Sequence, residues 1–403
     1  MIYLDYNATT PLCEPARAAM LPYLERHFGN ASSIHSAGRE ARAAIDDARD
    51  QLAGLLNVKP HELIFTGSGT ESNNLAVLGL ARSRRDVGRH LICSSVEHHA
   101  VLHAFEHLQE REGFEVTFLR VDSDGRVDPG DVANSLRSDT TLVSVMSANN
   151  ETGVLQPMHK IAEICRANGV LLHSDMVQAF GKISVIPSEV EGPRSSTLPP
   201  ARRGPSTSLR SAQDDVVSCV DAASFSAHKF YGPKGAGLLY LRSGIAIESI
   251  QFGGAHENQR RPGTENVAAI AGMAAAAEWV LKDVTAEQER EAALRDQLWR
   301  MIEAVCPSAQ QNGAGAARLG NTLNVSFQGL ESETLLMALD LEGVCVSSGS
   351  ACMVGSVVSS HVQLAMGGAA EAGRSAVRFS VGKQTTEEEI AAAGNAVARV
   401  LQR

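Results

Sequence analysis

The chain has 403 residues, too long for a single-motif module and long enough for a large catalytic domain with a smaller one beside it. With 44% apolar residues and 35 glycines it can close a large core, which excludes disorder throughout. Its 36 Lys and Arg against 46 Asp and Glu give a net charge of -10, which argues against long-range attraction to nucleic acid or to an anionic membrane.

The first residues, MIYLDYNATT, carry an acid at Asp5 and lack the basic-then-apolar pattern of a secretory signal, so the mature chain is expected to begin here. A long helix is expected over 37–56, with Ile45, Leu52 and Leu56 on one stripe. From about residue 60, short apolar runs alternate with helical stretches. Strands are predicted at 63–66, 91–94, 116–121, 142–146, 170–173, 216–220 and 237–241, with helices at 71–82, 99–112 and 158–168 between them. Such alternation predicts an α/β fold with a mostly parallel or mixed sheet. The segment 187–214 interrupts it with five prolines, eight serines or threonines and four arginines, and reads as a solvent-exposed insertion or a partly ordered flap. The Ala-rich run at 268–280 is broken by Glu278, so no membrane span is expected. From about 285 a charged helix precedes strands at 323–327, 344–347 and 376–380 and a last helix over 386–401, a smaller α/β domain. The expected division is an N-terminal segment 1–15, a large domain 16–260, and 261–403 completing the large-domain interface and forming the small domain.

Seven cysteines at wide, irregular spacings, with no C-x-x-C pair, suit a reducing, cytoplasmic setting and no metal knuckle. Among them Cys352 lies in the small-residue run VSSGSACMVGS, where a thiol has access to react or is simply a loop residue. Lys229 follows an apolar run in SFSAHKFYGPKG; a desolvated amine there is a carbonyl nucleophile for a Schiff base, although a lysine near a Gly-Pro turn is also a common surface residue. Asp175, just past a predicted strand, can hold a protonated pyridine nitrogen or cap the next helix. The turn Thr66-Gly67-Ser68-Gly69-Thr70 leads from strand to helix and suits a single phosphate better than a dinucleotide. His98 and His99 read equally as ring-stacking, acid–base or helix-start residues.

Taken in order, YLDYNATTP, FGNASSIH, FTGSGTESNN, VEHHAV, NNETGVLQP, HSDMVQAFGK, SAHKFYGPKG, RPGTEN, SSGSAC and VRFSVGKQTTEEEI make the chain closely resemble bacterial cysteine desulfurases of the NifS and IscS type, class V pyridoxal-phosphate enzymes of fold type I. The resemblance spans nearly all of the chain outside 187–214 and implies pyridoxal 5'-phosphate as cofactor, L-cysteine as substrate and a homodimer. It implies Lys229 as the lysine joined to the cofactor, Asp175 as partner of the pyridine nitrogen, Gln178 as donor to the phenolate and His98 as the stacking ring. Gly69, Thr70, Ser226 and His228 then hold the phosphate, with Thr264 reaching it from the other subunit. Asn150 and Arg378 bind the substrate carboxylate, and Cys352 takes the sulfur as a persulfide for an iron–sulfur scaffold or another acceptor. Departures from the family pattern are Met176 beside Asp175, the apolar Met353, Val354, Val357 and Val358 after Cys352, and an end at Arg403 without the longer tail that engages a cluster scaffold. Two other functions fit the same scaffold: a selenocysteine lyase or related β-eliminating enzyme, and a non-catalytic sulfur carrier or partner-binding protein.

Overall fold

A computed structural model of the chain describes residues 1–183, 217–348, 359–368 and 375–402. Cys352 and the segment 187–214 lie outside the described residues. The chain opens with a two-residue strand β1 (Ile2–Tyr3) and the helices α1 (Glu14–Glu25) and α2 (Ser36–Leu56). An alternating run follows: β2 (Leu63–Thr66), α3 (Gly69–Ser83), β3 (His90–Ser94), α4 (His99–Glu112), β4 (Glu115–Leu119), α5 (Pro129–Ser135), β5 (Thr140–Ser144), α6 (Met158–Ala167) and β6 (Leu171–Asp175). After β7 (Ala222–Ser226) and β8 (Gly237–Leu241) come the helices α7 (Val267–Leu281) and α8 (Val284–Val305). The remainder comprises β9 (Gln310–Gln311), β10 (Thr322–Ser326), α9 (Ser332–Leu341), β11 (Val344–Cys345), β12 (Ser347–Ser348), α10 (His361–Ala365), β13 (Ala376–Ser380) and α11 (Glu387–Leu401).

The large sheet has the order β2-β8-β7-β6-β5-β3-β4. Its strands are parallel from β7 through β4, and β8 runs against both of its neighbours. Helices on both faces bury the central strands, which is why 90–94, 140–144, 171–175 and 222–226 show no alternation between buried and exposed positions. The chain passes from β3 outward to β4 and returns to β5 on the other side of β3, so a topological switch falls between β3 and β5. Crevices at the carboxyl ends of such strands are where open α/β sheets bind ligands.

One apolar core joins α1, α2 and α7 to one face of this sheet, through residues such as Ala16, Ile45, Leu52, Phe225 and Met273. A separate core includes Leu4, Leu298, Phe327, Phe379 and Ile390, and underlies the antiparallel sheet β12-β13-β10-β9. The first residues touch both cores: β1 pairs in parallel with β11, Asp5 bridges to Ser380 and Leu4 packs in the second core, while Tyr6 and Cys13 pack in the first. The last helix starts on a reciprocal capping box between Thr386 and Glu389. Among the described residues no helix is long and apolar enough to cross a membrane.

Two predicted strands need correction. The strand expected at 216–220 is a short 3₁₀ turn at Val217–Cys219, and the strand is Ala222–Ser226. Small residues Ala222, Ala223 and Ser224 hide it from an apolar-run reading, yet they are fully buried between β6 and β8. The strand expected at 344–347 is two pieces, β11 pairing with β1 and β12 with β13.

Candidate active site

A cavity of about 400 Å³ opens at the carboxyl ends of the parallel strands. It is lined by Gly69, Thr70, His98, Asn150, Asp175, Gln178, Ser226, His228, Lys229 and Arg378, together with Asn7, Ala8, Ser68, Asn73, Met146 and Val177. Residues expected from distant motifs therefore meet in one place. Thr264 does not line it and is exposed. Met176 is buried in the core against the sheet, so the departure beside Asp175 points away from the cavity.

Asp175 ends β6 and is 4% exposed. Its Oδ1 accepts from the Val177 N–H at 2.9 Å and its Oδ2 from the Asn73 amide at 2.7 Å. The expected helix cap is not formed: residues 176–183 contain turns and no helix, and the Val177 contact is a local side-chain-to-backbone turn at the cavity edge. Burial pushes its pKa up, and His98, the two donors and Lys229 oppose that rise. Burial likewise pushes His98 down, so its ring is held toward the neutral form.

Lys229 closes a 3₁₀ turn, Ala227–Lys229, directly after β7. Its Nζ donates to the carbonyls of Asn7 and Ala8, both at 2.7 Å. The same N-terminal segment clamps the neighbouring residue: Thr10 donates its N–H to the His228 carbonyl at 2.9 Å, and Thr9 Oγ1 lies 3.1 Å from His228 Nδ1. Burial takes His228 down to about 4, so it is neutral at physiological pH.

The turn expected to receive a phosphate is the start of α3, where Ser68 caps the helix by accepting from the Glu71 N–H. A Cβ added at Gly69 would lie 2.9 Å from Val177 and 3.0 Å from Ser226, so the glycine keeps this approach open. The helix-start N–H groups of Gly69 and Thr70, which have no acceptor among the described residues, line this cavity with Ser226 and His228 and suit a dianion. A buried carboxylate, an amine and an anion cradle in one cavity fit pyridoxal phosphate, whose nitrogen, aldehyde and phosphate need these three partners.

Arg378 comes from β13 of the small sheet, and its side chain is 3% exposed. Nη2 donates to Asp5 Oδ1 at 2.9 Å and Nη1 to the Asn150 carbonyl at 3.0 Å, while Nε has no partner among the described residues.

Four site residues escaped the sequence reading. Asn73 anchors Asp175, Asp5 pairs with Arg378, and Lys182 donates to Gln178. Asn7 is a hub, its Oδ1 accepting from Asn321 at 2.9 Å and its Nδ2 donating to Thr322 at 2.9 Å. Each lies within a motif already singled out, and Asn73 sits one helical turn beyond Gly69, so spacing was the available signal.

The aminotransferase class-V family matches residues 2–191 and 209–392. A cysteine desulfurase IscS of Dictyoglomus turgidum (strain DSM 6724 / Z-1310) is 42% identical over all of this chain and 95% of its own. A putative cysteine desulfurase, IscS 1 of Bacillus subtilis (strain 168), is 40% identical over all of this chain and 99% of its own. Among solved structures, one described as a NifS-like protein superposes with a TM-score of 0.86 at 32% identity, covering 100% of this chain and 99% of that one. The chain belongs to the class-V aminotransferase family, within its cysteine desulfurases of the IscS and NifS type.

Proposed function

We propose that the protein is a pyridoxal-phosphate-dependent cysteine desulfurase that converts L-cysteine to L-alanine and passes the sulfur through Cys352. The observation carrying this reading is the meeting of Lys229, Asp175 and the Gly69 cradle in one cavity. When bound there, pyridoxal phosphate supplies an electron sink for bond breaking at the substrate's Cα and Cβ. Asp175 holds the proton on the ring nitrogen, His98 covers a ring face, and Gln178 donates to the phenolic oxygen. Thr70, Ser226 and His228 hold the phosphate. Arg378 and Asn150 would orient the substrate carboxylate, and the Lys229 amine would move the Cα proton.

Cys352 is the nucleophile toward sulfur. Its thiolate attacks the substrate sulfur, an S–S bond forms as the Cβ–S bond breaks, and Cβ gains the electron pair and a proton so that alanine leaves. The persulfide is then passed to an acceptor thiol for iron–sulfur cluster assembly in the cytoplasm. A homodimer is part of the same reading: Phe28, Ile34 and Phe252 are 86%, 92% and 98% exposed, and exposed Thr264 is available to serve a second copy's cradle.

The test is alanine and sulfide production from L-cysteine by cofactor-loaded protein with a reducing thiol, with Cys352→Ala alongside. Turnover lost in the variant supports the persulfide route; turnover retained points to elimination without it.

A further inference from the structure

Behind Lys229 lies a second lysine that the mechanism above does not use. Lys182 follows Gly181, whose φ of 73° and whose missing Cβ, which would sit 2.7 Å from Val280, allow the chain to turn back there. One turn separates Lys182 from Gln178, and its Nζ donates to Gln178 Oε1 at 2.7 Å and to Asn7 Oδ1 at 3.2 Å. Gln178 in turn donates through Nε2 to the Asn7 carbonyl at 3.0 Å, the same oxygen that receives Lys229.

A carboxamide has two faces of opposite polarity, and a buried one presents whichever its neighbours leave. An ammonium has donors and no acceptor, so it donates to the oxygen face of Gln178 and cannot pair with the nitrogen face. The nitrogen face is thereby left for Asn7 and the cavity. We propose that Lys182 is a positioning residue: by holding Gln178 Oε1 it fixes the Gln178 N–H toward the phenolic oxygen of bound pyridoxal phosphate. This rests on the reading of Gln178 as the phenolate's donor. Without Lys182 the amide could turn and set its oxygen against the phenolate.

The surroundings of the amine are mixed in charge. Burial pushes Lys182 down to about 7 against the attraction of Glu291, with Lys229 and Arg378 adding to the fall. Glu291, itself pushed up to about 8 by burial and by Glu287, lines the same small cavity as Lys182, Tyr231 and Lys383. Glu291 favours the charged amine, in which the nitrogen has no lone pair to accept from a turned Gln178 amide.

The experiment is a pH titration of the visible absorbance of the pyridoxal-phosphate-loaded protein without substrate. An N–H aimed at the phenolic oxygen stabilises its anion and lowers the proton affinity of the chromophore, so losing it raises the apparent pKa by about one unit. Gln178→Ala and Lys182→Met should show the same rise, and the double variant no more than either. Lys182→Arg, which keeps donors and no acceptor, should stay closer to wild type than Lys182→Met. Should Lys182→Met not fold, Lys182→Thr, too short to reach Gln178, takes its place. The proposal is overturned if Gln178→Ala moves the titration and the Lys182 variant does not, or if the two shifts add in full. A Gln178→Ala protein that titrates like wild type instead removes the reading of Gln178 and the proposal with it.

Discussion

Two walls of the cavity are made in different ways. Asp175, Ser226 and Lys229 stand at the ends of neighbouring parallel strands, β6 and β7, so their separation follows from the sheet itself. Asn7, Asn150 and Arg378 come from the start of the chain, a loop after β5 and a strand of the small sheet, and hydrogen bonds between residues far apart in sequence hold them together. The first wall is rigid because its scaffold is; the second is only as well placed as its polar contacts. Substitutions on the strand-end wall should therefore cost chemistry with the fold intact, whereas those on the other should cost positioning and stability together.

The largest effect is expected at Asp175. Asp175→Asn keeps the volume and removes the charge opposite the ring nitrogen, and its amide nitrogen would meet the donors of Asn73 or Val177. Alanine production at saturating cofactor should fall about 10³-fold in kcat, a loss typical of a buried electrostatic partner in a reaction site. Far-UV circular dichroism should not change. A loss of only a few-fold would detach the carboxylate from the chemistry.

On the second wall, Arg378→Lys exchanges a planar fork for a point charge that cannot bind a carboxylate bidentately. KM for L-cysteine should rise about 30-fold, with a smaller change in kcat. Asp5→Ala leaves the buried guanidinium without its carboxylate and should lower stability by about 3 kcal/mol in chemical unfolding. If Asp5→Ala changed neither stability nor KM, the contrast between the walls would fail. A smaller effect, on cofactor binding alone, tests the cradle: Gly69→Ala puts a methyl against Val177 and Ser226 and should weaken pyridoxal phosphate about tenfold in equilibrium dialysis.

The same contrast explains what the sequence could reveal. Residues of the first wall carry their context locally: a strand, a turn and a helix start are legible around Gly69 and Asp175, and the α/β alternation places them at one sheet edge. Asp5 and Arg378 are 373 positions apart, so no local pattern pairs them; only the family resemblance pointed to Arg378, and nothing pointed to its partner. β7 was misplaced because its inward residues are small, and in a sheet buried on both faces small size substitutes for apolarity. Lys182 lies inside a legible motif, yet its i,i+4 relation to Gln178 acquires meaning only when both side chains meet in one cluster.

The smallest effect on turnover is expected at Glu97, a fully buried carboxyl beside His98 in the chain. Its Oε1 accepts from Ser94 Oγ and from the Met146 N–H, each at 2.6 Å, while Oε2 has no partner among the described residues. Burial lifts its pKa from 4.5 to about 8, with Asp175 pushing the same way. The folded protein therefore keeps a proton that the unfolded chain releases, and the stability tied to it is fully present below about 4.5 and declines as pH rises to about 8. Glu97→Gln retains a carbonyl for Ser94 and Met146 and cannot ionise, so this part of the decline should vanish. Unfolding free energies measured between those limits should fall less steeply in the variant, leaving it about 3 kcal/mol more stable at pH 8 relative to wild type than at pH 5. Equal slopes would mean that Glu97 ionises as readily in the folded protein as in the unfolded chain. The variant's kcat should stay close to wild type, because the Glu97 side chain lies behind the strand ends rather than on the cavity lining.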